Sequence, residues 1–214
     1  MNITTEKLTL HGAAGNIQAL RDVPGTNDAP HKGIAVIAHP HPLFGGTMDN
    51  KVVQTMARAF VQAGWSAIRF NFRGVGLSAG EHDGGVAETQ DMLAVIAQTT
   101  TPETPLCLAG FSFGAYVTSH VIEALGHTEY AQAAIKNIVL VGTATSRFTV
   151  APIAAQWHAR TLVIHGEADD TVPLASVMDW ARPQLLPVTV VPTVEHFFHG
   201  QLPLLKSLVL RHLH

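Results

Sequence analysis

One cysteine, few charges and no long apolar run characterise this 214-residue sequence before any motif is read. Cys107 alone cannot close an internal disulfide, and without a CxxC pair the chain lacks that means of redox or zinc chemistry. Charged residues make up 14%, against roughly 25% in an average soluble chain. The 13 Lys and Arg against 16 Asp and Glu leave a net charge of −3. No basic run exists, so nucleic acid is not expected as an electrostatic partner. The longest unbroken aliphatic stretches, residues 34–38 and 138–141, fall far short of the roughly 20 residues that cross a bilayer. Residues 1–10 place Glu6 and Lys7 where a secretion signal needs an apolar run. The expectation is a soluble, cytoplasmic protein with no membrane partner.

What is present is apolar: 47% of the residues, enough to bury a sizeable core and to exclude global disorder. Gly and Pro follow no repeat, and no linker or shift of composition divides the chain, so residues 1–214 are read as one domain. Residues 7–10 and 17–20 flank a glycine turn and predict a hairpin. Short apolar runs then alternate with amphipathic stretches. Strands are expected at 33–38, 66–70, 106–110, 138–141, 161–164 and 188–191. Helices are expected at 50–63, 86–98, 115–125, 174–185 and 202–212. Such interleaving predicts an α/β fold with a mostly parallel eight-stranded sheet covered by helices on both faces, its first two strands antiparallel. The last helix is apolar nearly all round, which leaves both a monomer and a homodimer open.

Gly110-Phe-Ser112-Phe-Gly114 lies between an apolar strand and a helix. A Gly-x-Ser-x-Gly in that setting is a nucleophile elbow, a strained turn that presents the serine at the positive end of a helix. A serine needs a base, and the base an orienting acid, which this arrangement supplies in the chain order Ser, Asp or Glu, His. His165-Gly-Glu-Ala-Asp169-Asp170 follows one strand and offers the acid, with Asp169 and Asp170 both open. Glu195-His196-Phe-Phe-His199 follows the last strand, with His196 preferred to His199 as base. Two N–H groups must meet an oxyanion. One should come from the loop His39-Pro-His41-Pro-Leu43, whose prolines have no N–H, which leaves His41, Leu43 or a neighbour, with His41 the first choice.

Rival readings attach to the same residues. His39 and His41 form an HxH pair that could join His196, His199 or Asp169 around zinc. Gly74-Val-Gly76-Leu-Ser-Ala79 matches a relaxed dinucleotide fingerprint, but loop residues follow where an apolar helix should start. Cys107, inside the elbow strand, reads as a small buried hydrophobe. Phe44, Phe111, Phe113, Phe197 and Phe198 cluster on the proposed site loops and would make a pocket apolar where they line it.

Taken together, His39-Pro-His-Pro-Leu-Phe-Gly-Gly-Thr-Met-Asp-Asn50, Arg69-Phe-Asn-Phe-Arg-Gly-Val-Gly-Leu-Ser78, the elbow, His165-Gly-Glu-Ala-Asp-Asp170 and His196-Phe-Phe-His-Gly200 resemble the α/β-hydrolases, in particular small hydrolases related to dienelactone hydrolase. The resemblance implies Ser112 as nucleophile, Asp169 as orienting acid and His196 as base. It also implies an oxyanion hole from the Phe113 N–H and the 39–43 loop, with no metal or organic cofactor. Dienelactone hydrolase itself has cysteine at the elbow, so its substrate does not transfer. Residues 142–160 are too few for a multi-helix lid, which predicts an open site. The expected activity is hydrolysis of a small carboxylic ester or thioester. A serine peptidase or amidase and a binding protein on a hydrolase scaffold are the alternatives.

Overall fold

The computed structural model describes residues 3–25, 31–128 and 134–214. Strands β1 (Ile3–Gly12) and β2 (Gly15–Pro24) form the hairpin, followed by β3 (Ile34–Ala38), α1 (Lys51–Gln62), β4 (Ser66–Phe70) and α2 (Val86–Thr99). The second half holds β5 (Leu106–Phe111), α3 (Phe113–Leu125), β6 (Ile135–Val141), β7 (Thr161–Gly166), α4 (Leu174–Ala181), β8 (Val188–Val191) and α5 (Leu202–His212). One sheet takes the order β1-β2-β4-β3-β5-β6-β7-β8. The β1–β2 and β2–β4 pairs are antiparallel, and every pair from β4 to β8 is parallel.

Strands β3 and β5 carry no polar side chain from end to end, because both of their faces are covered. Alternate side chains serve opposite layers. Ala35, Ile37, Cys107, Ala109 and Phe111 face a core shared with α1 and α5. Val36, Ala38, Leu106 and Leu108 face another shared with α2 and α3. Helix α1 buries Val53, Met56, Ala57 and Phe60, a stripe at helical spacing. Helix α5 buries only Leu205 and Val209 fully and packs its remaining leucines partway onto the same core, beside α1. Its nearly all-round apolarity thus resolves into one deep stripe with half-covered flanks.

Several boundaries differ from the sequence expectation. The hairpin strands run ten residues each, paired from Ile3↔Pro24 to Gly12↔Gly15. Helix α3 starts at Phe113 rather than 115, because the elbow turn is itself the helix cap. Helix α4 stops at Ala181, and residues Arg182–Gln184 form a 3-10 turn. Pro183 lacks the N–H that would continue the α-helix. Residues 142–160 contain only a 3-10 turn at Ala155–Arg160, so no lid is built there. No helix among the described residues is long and apolar enough to cross a membrane.

In this order the chain leaves β3 toward β4 on one side and reaches β5 on the other. A crevice at the carboxyl ends of β3 and β5 follows, where open parallel sheets receive their ligands.

Candidate active site

Ser112 stands at the end of β5 with φ 56, a left-handed conformation that non-glycine residues seldom adopt. Its N–H donates to the Val141 carbonyl at 2.8 Å, fixing the turn against β6. Neither flanking glycine has a positive φ; what they need is space. A Cβ on Gly110 would fall inside the van der Waals radius of the Gly114 carbonyl, and one on Gly114 would strike the Ala38 carbonyl. Only hydrogen fits at either position, at Gly110 because the turn folds back on the start of α3 and at Gly114 because α3 starts against the end of β3.

His196 lies on the loop after β8, buried, with its Nε2 3.0 Å from Ser112 Oγ. On its other side Nδ1 is 2.6 Å from Asp169 Oδ2. An ionised Asp169 accepts only, so Nδ1 carries the proton and Nε2 is left to accept from the serine hydroxyl. Asp169, in the turn after β7, is held by two further donors: the Thr171 and Val172 N–H groups meet Oδ1 at 3.0 and 2.7 Å. Asp170 is exposed and touches no histidine recorded among the described residues. The structure thus separates the two aspartates that the sequence left open, and Asp169 is the one on the imidazole. His199 is exposed, 3.1 Å from Glu195, and does not reach Ser112.

A residue that the sequence reading did not single out supports the acid. His165 is fully buried, and its Nε2 is 2.9 Å from the Val172 carbonyl and 3.5 Å from Asp169 Oδ2. Burial, against the pull of the Val172 carbonyl and Asp169, keeps this ring below the usual histidine pKa. Its position, four residues ahead of Asp169 at the end of β7, carried no signal that separated it from an ordinary strand-end residue.

The loop after β3 distributes its N–H groups unequally. Leu43 N–H donates to His41 Nδ1 at 3.2 Å. Phe44 and Gly46 N–H both donate to the His41 carbonyl, and Gly45 N–H to that of Pro42. Pro40 and Pro42 have none to give. Among the described residues only the His41 N–H in residues 40–46 has no partner of its own. The Phe113 N–H, first in α3, likewise has no intrahelical acceptor.

His39 belongs to the scaffold. Its Nε2 accepts the Phe72 N–H at 3.0 Å, so Nδ1 is the donor to the Pro40 carbonyl at 2.6 Å. Both ring nitrogens are spent, and burial lowers the pKa to about 4 despite the Pro40 bond. Among the described residues no three His, Cys, Asp or Glu side chains converge as metal ligands would. The glycines of residues 74–79 serve a turn, with Ser78 Oγ donating to the Asn71 carbonyl and accepting the Gln18 N–H; helix α2 starts only at Val86. Cys107 is buried, and burial pushes its thiol up to about 12 even though the Asn137 amide bonds its sulfur.

A cavity of about 290 Å³ opens over Ser112 and His196. Phe44, Phe113 and Phe197 line it, joined by Phe148. Phe111 and Phe198 instead fill the core behind the site, Phe111 with its ring 4.9 Å from that of His196. Phe148 was missed because residues 142–160 carry no periodic pattern; an aromatic amid Thr145-Ser-Arg-Phe148-Thr was the signal available.

Comparison with known proteins agrees with this geometry. A family model described as serine aminopeptidase, S33, matches residues 29–154. The structure of an α/β serine hydrolase without a lid from Xanthomonas campestris is 34% identical over 99% of this chain and 94% of its own, with a TM-score of 0.85. An α/β serine hydrolase homologue from Coxiella burnetii is 32% identical over 100% of both chains, with a TM-score of 0.79. An uncharacterised protein of Rickettsia prowazekii is 41% identical over 97 residues, 44% of this chain, and the match spans only 41% of that protein's length. A fold of this topology, an elbow of this construction and relatives of this similarity have one reading: the chain belongs to the α/β-hydrolase superfamily of serine hydrolases.

Proposed function

We propose that the protein hydrolyses a small carboxylic ester or thioester through an acyl-enzyme on Ser112. The observation that carries this reading is the hydrogen-bonded chain Ser112–His196–Asp169, with links of 3.0 and 2.6 Å. His196 Nε2 takes the hydroxyl proton as Ser112 Oγ attacks the carbonyl carbon, and Asp169 holds the imidazole and stabilises its charged form. The Phe113 and His41 N–H groups receive the developing oxyanion, each worth about 10²–10³ in rate. His196 then protonates the leaving alcohol or thiol. Water, deprotonated by the same nitrogen, attacks the acyl carbon, and His196 returns that proton to Ser112 Oγ as the bond to it breaks and the acid leaves.

The description of the matching family model favours a second reading, an aminopeptidase. Such an enzyme must hold the ammonium group of its substrate with an anion or a ring of acceptors. No Asp or Glu lines the cavity among the described residues, and this supports the ester over the amino-terminal peptide. Treatment with a fluorophosphonate, read by intact mass, tests the nucleophile. One added phosphonyl group on the native chain and none on Ser112→Ala is the expected result. An unlabelled native chain would remove the serine-hydrolase reading and leave a binding protein on this scaffold. Turnover of an ester and a matched peptide anilide then separates the two hydrolytic readings.

A further inference from the structure

The sequence has eight arginines, and seven of them hold a partner inside the protein. Arg69 pairs with Asp22 and Asp49, Arg73 with Asp91, Arg182 with Asp179, and Arg21 faces Glu6. Arg58, Arg160 and Arg211 donate to Gln54, the Ile135 carbonyl and Ser207. Arg147 alone makes no side-chain hydrogen bond or ion pair among the described residues, and it lines the cavity over Ser112.

Its backbone is nonetheless fixed. The Arg147 and Phe148 N–H groups both donate to the Ala144 carbonyl, at 3.2 and 3.1 Å. Thr145 Oγ1 ties the turn to Ser176 of α4 at 2.9 Å. The Phe148 ring stacks on Tyr116 with centroids 4.7 Å apart and meets Phe113 edge-on at 5.3 Å. A cation thus extends from a fixed stretch of backbone on the rim of an aromatic-walled site whose described lining offers it no carboxylate. A ligand filling such a site takes water from the guanidinium, which is costly unless the ligand brings the opposite charge.

We infer that Arg147 selects substrates bearing a carboxylate, so that the site takes the monoester or monothioester of a short dicarboxylic acid. The inference rests on the ester-hydrolase reading of Ser112. One planar guanidinium offers one two-pronged fork and one unit of charge, which matches a carboxylate and leaves a phosphate dianion half-neutralised. A cavity of about 290 Å³, at the small end of ligand sites, keeps the anion a few bonds from the scissile carbonyl.

The test compares monoethyl glutarate with its neutral counterpart ethyl pentanoate on the native enzyme, Arg147→Gln and Arg147→Lys. The native enzyme is expected to favour the anion in kcat/KM by about tenfold or more. Arg147→Gln should bring that ratio down by a similar factor through KM for the glutarate, and Arg147→Lys should retain part of it. Arg147 is exposed and pairs with nothing among the described residues, so neither change removes a packing contact from the core. Calorimetric binding of monoethyl glutarate to Ser112→Ala, with and without Arg147→Gln, reads the same selection without turnover. Equal native rates on the two esters would overturn the inference, as would an unchanged ratio in Arg147→Gln. Binding to Ser112→Ala that ignores Arg147 would overturn it as well. If neither ester turns over and the fluorophosphonate leaves Ser112 unlabelled, the hydrolase reading fails separately, and the binding measurement still decides the role of Arg147.

Discussion

Asp169 and Asp170 stand side by side in one turn, yet their surroundings make them different reagents. Asp169 is buried and accepts from His196 and two main-chain N–H groups, whereas Asp170 faces water. Asp169→Asn should cost roughly 10³–10⁴ in kcat, because an amide cannot hold the imidazole in the required tautomer. Asp170→Asn should stay within about twofold, because this exposed carboxylate accepts only a long 3.4 Å bond from the Thr171 hydroxyl, which an amide oxygen can also accept. Steady-state kinetics on a single ester checks both. His41 permits a main-chain test, since its φ of −54 is one that proline adopts. His41→Pro removes the N–H and should lower kcat by about 10²–10³ relative to His41→Ala, which keeps it. Equal activity in the two variants would move the second oxyanion donor elsewhere.

The elbow is where local conformation and chemistry conflict. A serine at φ 56 stores strain of about 1–3 kcal/mol, which glycine would release and alanine would not. Ser112→Gly should therefore unfold at a higher temperature than Ser112→Ala, by calorimetry, while both are expected to lose activity under the proposed role of Ser112. The boundaries of β4, β8 and α5 were legible as apolar runs or helical stripes ended by glycine, proline or polar residues. The start of α3 was not, because the strained turn doubles as its cap. The periodic stretch that predicted helix to residue 185 was overridden by Pro183, which ends α4 at Ala181. At the site, the Gly-x-Ser-x-Gly motif brought forward Ser112, and chain order with position after a strand brought forward the loops of Asp169 and His196. The choice between adjacent aspartates depends on which carboxylate the turn points inward, and residue types do not record that. Arg147 and Phe148 stayed hidden for a related reason, since a short aperiodic loop gives no sign of the face it shows to a cavity.

Across the whole molecule, buried neutral histidines tie stability to pH. His39 has its pKa lowered to about 4 chiefly by burial, against about 6.5 in the unfolded chain. The unfolded state binds the proton more tightly, so this contribution is complete above pH 6.5 and is lost as the pH falls toward 4. His165 is shifted in the same direction. Urea unfolding at pH 7.5 and pH 4 should differ by about 3 kcal/mol from His39 alone, and His39→Gln should show a shallower dependence from a lower starting stability.

The short connection between β6 and β7 has a kinetic consequence. With no lid built from residues 142–160 over the elbow, an acyl group on Ser112 would lie open to the solvent. Bulk water and an added alcohol would both reach the acyl carbon without waiting for a segment to move. Partition of the acyl-enzyme in water–alcohol mixtures should then follow the concentrations of the two nucleophiles, and turnover should stay insensitive to solvent viscosity until diffusion of the ester itself becomes limiting.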